Sequence, residues 1–173
     1  MTEKQESILK AALRLFATQG YASTSTSKVA KEAGVSEGLI FRHFGNKEGL
    51  LNAILEMAQE AGSQKWAPIV LEPDPKKVIT KCLEMPFGIN KNEYEMWRLV
   101  YAIKWQTDNY DTTSFEPIKL VLRNAFEKLG FEDPDAEVEL IMMYVDGAAT
   151  SFILHEPSNK LDILKSLKQK YQL

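Results

Sequence analysis

One cysteine, Cys82, and two histidines, His43 and His155, leave this chain with little of the chemistry that metal sites, disulfide scaffolds and most catalytic centres draw on. A lone thiol has no partner for an internal disulfide, which fits a reducing compartment. No H-E-x-x-H, paired-cysteine or phosphate-loop motif occurs, so neither catalysis nor a resident metal or cofactor is expected. A signal-peptide pattern is missing as well, since charge begins at Glu3 and Lys4. No uninterrupted apolar run reaches membrane-spanning length. The expectation is a cytoplasmic protein with no membrane partner. Strand signals are weak, Ile69-Val70-Leu71 being a short β-like run between prolines.

What the chain does have is helical periodicity, a hydrophobic fraction of 45% that suits a globular core, and one segment dense in meaning. From Thr26 to Phe44 the sequence reads as two short helices joined by a glycine turn. Two helices that cross closely need a small residue at the crossing, a turn residue that tolerates positive φ, and apolar positions that pin both down. Ala30, Gly34 and the set Val29, Ala33, Val35 and Ile40 supply these. Gly34 stands where the first helix needs a left-handed terminator, and Ser36 where the next needs a capping oxygen. The segment is a candidate DNA-reading helix-turn-helix; an ordinary helical hairpin is the plainer alternative.

The flanks add to it. Ile8, Leu9, Ala12, Leu13, Leu15 and Phe16 form a helical stripe opened by a Thr2-x-x-Gln5 capping box and closed by Gly20-Tyr21. After the pair, Asn46 caps a further helix with Glu48 in its first turn. Taken together, Gly20-Tyr21, Val29-Ala30-Lys31-Glu32-Ala33-Gly34-Val35-Ser36 and Phe41-Arg42-His43-Phe44-Gly45-Asn46-Lys47-Glu48-Gly49-Leu50-Leu51 resemble the N-terminal signature of the TetR family of transcriptional regulators. The resemblance covers about residues 5 to 55. It implies an all-helical homodimer that grips double-stranded operator DNA and releases it when a small effector binds a variable C-terminal domain, usually as a repressor.

Carried over residue by residue, the resemblance places Ser25 as cap of the second helix, with Thr26 and Ser27 offering hydroxyls and N–H groups to phosphate. Ser36, Glu37, Gly38, Leu39, Phe41, Arg42 and His43 fall on or beside the recognition helix, and Lys47 is expected to hold DNA backbone. Gly38 permits close approach, Leu39 suits a thymine methyl, and His43 is expected to donate to phosphate. Two positions depart from the family's pattern. Phe41 lacks the phenol usually found there, while Arg42 brings a permanent cation able to read guanine or hold backbone. Glu37 would repel phosphate unless it accepts from a cytosine amino group, and a purely structural role in the first helical turn is the alternative.

Beyond residue 55 the chain reads as more helices, nine in all: an all-α fold with a three-helix head (1–47) and an effector-binding and dimerisation domain (48–173). The fourth helix is expected to end at Pro68. Asp74-Pro75 and Asp133-Pro134 open the fifth and eighth, Gly130 ends the seventh, and the sixth spans roughly Asn92 to Gln106. Val138, Ile141, Val145, Ala148, Ala149 and Phe152, with Leu164 on the ninth helix, are the candidate dimer interface. Small residues there would let two backbones approach. Trp66, Phe87, Trp97, Tyr101, Trp105, Phe126 and Met142 are candidates for a pocket taking an apolar or aromatic effector, with Arg98, Lys104, Gln106, Asn124 or Tyr144 as polar groups. Ordinary core is the competing account of every one of them.

Charge is uneven. Lys4, Lys10, Arg14, Lys28, Lys31, Arg42 and Lys47 face only Glu3, Glu6, Glu32 and Glu37 in residues 1–47, a surplus of three, so the remainder carries −6 of the net −3. A basic head and acidic body suit phosphate contact at one end. The rival to a regulator is a helical ligand-binding or interaction protein that keeps the fold without gripping DNA, for which Glu37 and the modest basic excess speak.

Overall fold

The protein is described from a computed structural model, which covers residues 1–104, 113–155 and 157–173. Among these residues there are nine α-helices and no strand: α1 (Glu3–Gln19), α2 (Thr26–Ala33), α3 (Glu37–Phe44), α4 (Lys47–Val70), α5 (Pro75–Glu84), α6 (Tyr94–Lys104), α7 (Glu116–Leu129), α8 (Pro134–His155) and α9 (Lys160–Lys170). Short 3-10 turns at Met85–Gly88, Lys91–Glu93 and Thr113–Phe115 lead out of or into their neighbours.

Local chemistry explains most of these bounds. Thr2 and Gln5 form the reciprocal capping box that starts α1. The Asn46 side chain accepts from Gly49 N–H at 2.8 Å at the start of α4. Asp74 accepts from the N–H groups of Lys76 and Lys77 before Pro75 at the head of α5, and Asp133 does the same for Ala136 before α8. Gly130 ends α7 in the left-handed conformation, φ 78°.

Pro68 does not end its helix. α4 continues to Val70 with the proline inside its last turn, so Ile69 and Val70 are helical and not β-like. Ile69 is buried, and Leu71 N–H still reaches Ala67 O at 3.1 Å. Burying an aliphatic side chain contributes about 1.5–3 kcal/mol, comparable to the cost of a proline in a helix.

Compactness groups the chain into two units that do not follow chain order. The first holds Met1–Ala61 and Lys91–Asp108, and is larger than the 1–47 head expected from sequence because the first part of α4 and all of α6 are grouped with it. Its core is Ile8, Leu9, Ala11, Ala12, Leu15 and Phe16 of α1, Val29 and Ala30 of α2, Ile40 of α3, Leu50, Leu51 and Ile54 of α4, and Leu99 of α6. The second holds residues 62–90 and 109–173. Its core gathers Ile69, Val78, Ile79, Cys82, Leu83, Ile118, Leu122, Ala125, Phe126, Val138, Ile141 and Val145.

α8 requires a correction. Val138, Ile141, Val145, Ala149 and Phe152 are all buried within this one chain, and Leu164 packs against the same core, while Ala148 is half-buried. The face expected to meet a partner is thus occupied by the chain's own side chains, Val138, Ile141 and Val145 by those of α5 and α7 and Phe152 by Phe87. A different stripe of α8 is exposed: Leu140 (53%), Met143 (70%), Gly147 and Leu154 (65%). By length and composition α8 alone among the described helices is apolar enough to cross a membrane. That reflects apolar residues on two faces, of which the described residues cover one.

Candidate nucleic-acid interface

The candidate interface is the outer side of α2 and α3, and its geometry begins with the turn between them. Gly34 takes φ 67°, ψ 33°, a left-handed conformation that costs a side chain nothing only when there is none. Its N–H and that of Val35 return to carbonyls of α2, Val35 N–H reaching Ala30 O at 3.0 Å. Ile40, fully buried, then anchors α3. At the far end, Gly49 lies so near the end of α3 that a Cβ there would sit 1.8 Å from Phe44 O. Only glycine lets α4 start so close.

With the inner faces buried, the outer faces are fixed. Ser25 caps α2, accepting from Lys28 N–H at 3.2 Å. Ser25, Ser27, Lys28, Ser36, Gly38, Phe41 (48%), Arg42 and His43 are exposed, and Thr26, Glu37, Leu39 and Lys47 are half-buried. The sequence-derived residues therefore lie on two adjoining short helices, with Lys47 at the start of α4. Ser36 occupies the cap position of α3, φ −76°, ψ 146°, yet its side chain makes no cap hydrogen bond, contrary to expectation.

Two other side chains are used differently from the sequence reading. Thr26 was expected to give its hydroxyl proton to phosphate; instead Oγ1 donates to Glu37 Oε1 at 2.5 Å, linking the first residue of α2 to the first of α3. Lys47 Nζ donates to Tyr21 O at 3.0 Å and Ala22 O at 3.3 Å, and lies 4.3 Å from the Tyr21 ring centroid. Two of its three N–H donors thus latch the α1–α2 loop to α4, leaving one for an outside anion. Burial, then the charge of Glu48, holds the Tyr21 phenol above its usual pKa.

A further contact was invisible in sequence. Gln5 Nε2 lies 3.4 Å from His43 Nδ1. With Nδ1 accepting from the amide, the ring keeps its proton on Nε2, the nitrogen available to an outside acceptor. Gly34-Val35-Ser36-Glu37-Gly38 has the letters of a nucleophile elbow, but the elbow needs a strand before its serine, and here a helix precedes it.

The family model for bacterial regulatory proteins of the tetR family matches residues 8–54. Those residues form a TetR-family head. An uncharacterized HTH-type transcriptional regulator of Bacillus subtilis strain 168, YerO, is 36% identical over 90 residues, 50% of this chain and 31% of its own. The HTH-type transcriptional regulator AcrR of Shigella flexneri is 46% identical over 57 residues, 33% of this chain and 26% of its own. The matched stretches thus span less than a third of these relatives' length. A Saccharomonospora viridis protein crystallised in complex with choline superposes with TM-score 0.73 over 99% of this chain and 96% of its own, at 18% identity. At that identity the likeness shows the fold alone, over nearly the whole chain and not just the matched head.

The candidate effector residues are not gathered like those of the head. Trp97 and Tyr101 belong to the first unit, whereas Trp66, Phe87, Phe126 and Met142 belong to the second, and Trp105 and Gln106 lie outside the described residues. Trp66 meets Phe115 edge-on at 6.3 Å, and Phe87 packs on Phe152 at 4.8 Å. Phe126 has no exposed surface and packs on Phe131 and Tyr171, so it is core. Met142 packs against the same core. Tyr144 gives its hydroxyl proton to Leu83 O at 3.0 Å, and Arg98 and Asn124 are exposed. Lys104 Nζ stands 5.7 Å from the Tyr101 ring centroid. Trp97 differs: its indole N–H is buried without a hydrogen-bond partner in the described structure.

Proposed function

We propose that the chain is a TetR-type transcriptional regulator, a repressor that holds a palindromic operator as a homodimer and lets go when a small apolar or aromatic effector binds. The observation that carries this reading is the exposed side of α3, where Gly38, Phe41, Arg42 and His43 face outward from a turn fixed by Gly34 and a buried Ile40. A recognition helix enters the major groove with such side chains while the preceding helix meets the backbone. The basic surplus of residues 1–47 supplies the sequence-independent attraction to phosphate.

A second copy of the chain is the partner we assign to α8. Its intrachain face is full, and the exposed stripe of Leu140, Met143, Gly147 and Leu154 needs cover. Gripping a palindrome requires two heads. For the effector, the support is the buried, unpaired N–H of Trp97, which a ligand acceptor would satisfy, together with the aromatic content of α6. The choline complex of the S. viridis protein shows a related fold accommodating a small molecule. Release follows if the effector favours a conformation whose head spacing fits the operator poorly.

Fluorescence anisotropy of the protein on DNA from upstream of its own gene, against scrambled duplex over a salt series, tests the reading. Selective binding that weakens steeply with salt is the expected result. Equal weak binding to both duplexes, together with no enrichment from a random duplex pool, would contradict it and favour an interaction protein that keeps the fold.

A further inference from the structure

We infer that Glu37 selects a cytosine in each half of the recognised sequence, and that Thr26 is the positioning residue that aims it. The inference rests on the operator-binding reading above and adds which base is read and by what.

Glu37 is the first residue of α3, and the N-terminal residues of a recognition helix are those that meet base edges. A carboxylate near phosphates is unfavourable unless something holds it and something else uses it. Thr26 does the holding. Its Oγ1 donates to Glu37 Oε1 at 2.5 Å, in the range of strong charge-assisted O–H···O⁻ bonds. Both ends of this bond are fixed in turn, Thr26 by the Ser25 cap of α2 and Glu37 by the left-handed turn at Gly34. The next residue, Gly38, is exposed, and a Cβ there would meet nothing within 4 Å, which leaves room for a base edge beside the carboxylate.

An ionised carboxylate only accepts, so with Oε1 engaged by Thr26 the remaining capacity looks for a donor. In the major groove guanine offers two acceptors and thymine an acceptor and a methyl group, both unfavourable opposite a carboxylate. Adenine offers its amino group beside the N7 acceptor, which would face carboxylate lone pairs. Cytosine offers its N4 amino group without a neighbouring acceptor on the same base. Cytosine is therefore the base that suits Glu37.

Random-site selection with the full chain, comparing wild type with Glu37→Ala, Glu37→Gln and Thr26→Val, tests this, with thermal melts confirming that each variant folds. Wild type should enrich cytosine at one symmetric position, and changing that base should weaken wild-type binding about tenfold. Glu37→Ala should keep the rest of the site and lose the preference there. Glu37→Gln, whose amide can still accept from Thr26, should shift the preference to adenine, which an amide pairs through N6 and N7. Thr26→Val should blunt the cytosine preference without replacing it. Selection by Glu37→Ala identical to wild type at every position would overturn the inference alone, and selection by Thr26→Val identical to wild type would remove its positioning role. No enrichment by wild type would overturn the operator reading and this inference with it.

Discussion

Arg42 is exposed and Cys82 fully buried, and each leads to a prediction. Arg42 stands exposed on α3, where its guanidinium suits guanine or phosphate. Arg42→Ala should weaken specific DNA binding by about 1–3 kcal/mol and relax the sequence choice; unchanged affinity and preference by anisotropy would reject that role. Burial pushes the Cys82 thiol up to about 12, and burial first also raises the phenols of Tyr144 and Tyr171 to about 12, with Glu137 adding to the latter. In the unfolded chain these groups ionise near about 8.5 and about 10. The folded state thus keeps protons that the unfolded state releases, so this stability is complete below about pH 8.5 and is lost as pH rises toward about 12. Urea midpoints at about pH 7.5, 9.5 and 11 should fall in that order, and a flat series would contradict the burial. Caps such as Thr2, Asn46, Asp74 and Asp133 were legible in the sequence because each acts within three residues of itself. The Thr26–Glu37, Gln5–His43 and Lys47–Tyr21 contacts were not, since they join residues brought together by the fold.

At the scale of elements, the turn between α2 and α3 positions the candidate interface, and its glycine is a sharp test. A Cβ at Gly34 would meet nothing within 4 Å, so any cost of Gly34→Ala lies in the backbone at φ 67°. That substitution should destabilise the protein by about 1–2 kcal/mol in urea denaturation; no change would show that the turn is not held left-handed. Helix order was readable from periodicity and from Gly, Pro and Asp signals. Two element-level expectations failed for one reason. Local signals mark Pro68 as a stop and the apolar face of α8 as a partner surface, but burial of Ile69 carries α4 onward and the chain's own core claims Val138, Ile141 and Val145. Local sequence reports which residues are apolar, while tertiary packing decides which of two apolar faces is used.

For the whole molecule, the corrected α8 stripe makes the assembly testable. Met143→Glu should convert the proposed dimer to a folded monomer, seen as a halved mass by light scattering with helical content retained. Val145→Glu should instead unfold the chain, because Val145 is only 7% exposed within one subunit. A Met143→Glu protein that remains dimeric would place the interface elsewhere. The head was legible as a whole because its motifs are short and closely spaced; the effector candidates form no such motif, being single aromatic residues far apart in sequence. The most direct test of the central claim, that the outer side of α2 and α3 reads DNA through the major groove, is dimethyl sulfate protection of guanine N7 in the operator complex. Two protected major-groove patches are predicted, about one helical turn or a multiple of it apart on one face of the duplex, with Arg42→Ala losing protection in both. Selective binding without protection of guanines in that groove would contradict it.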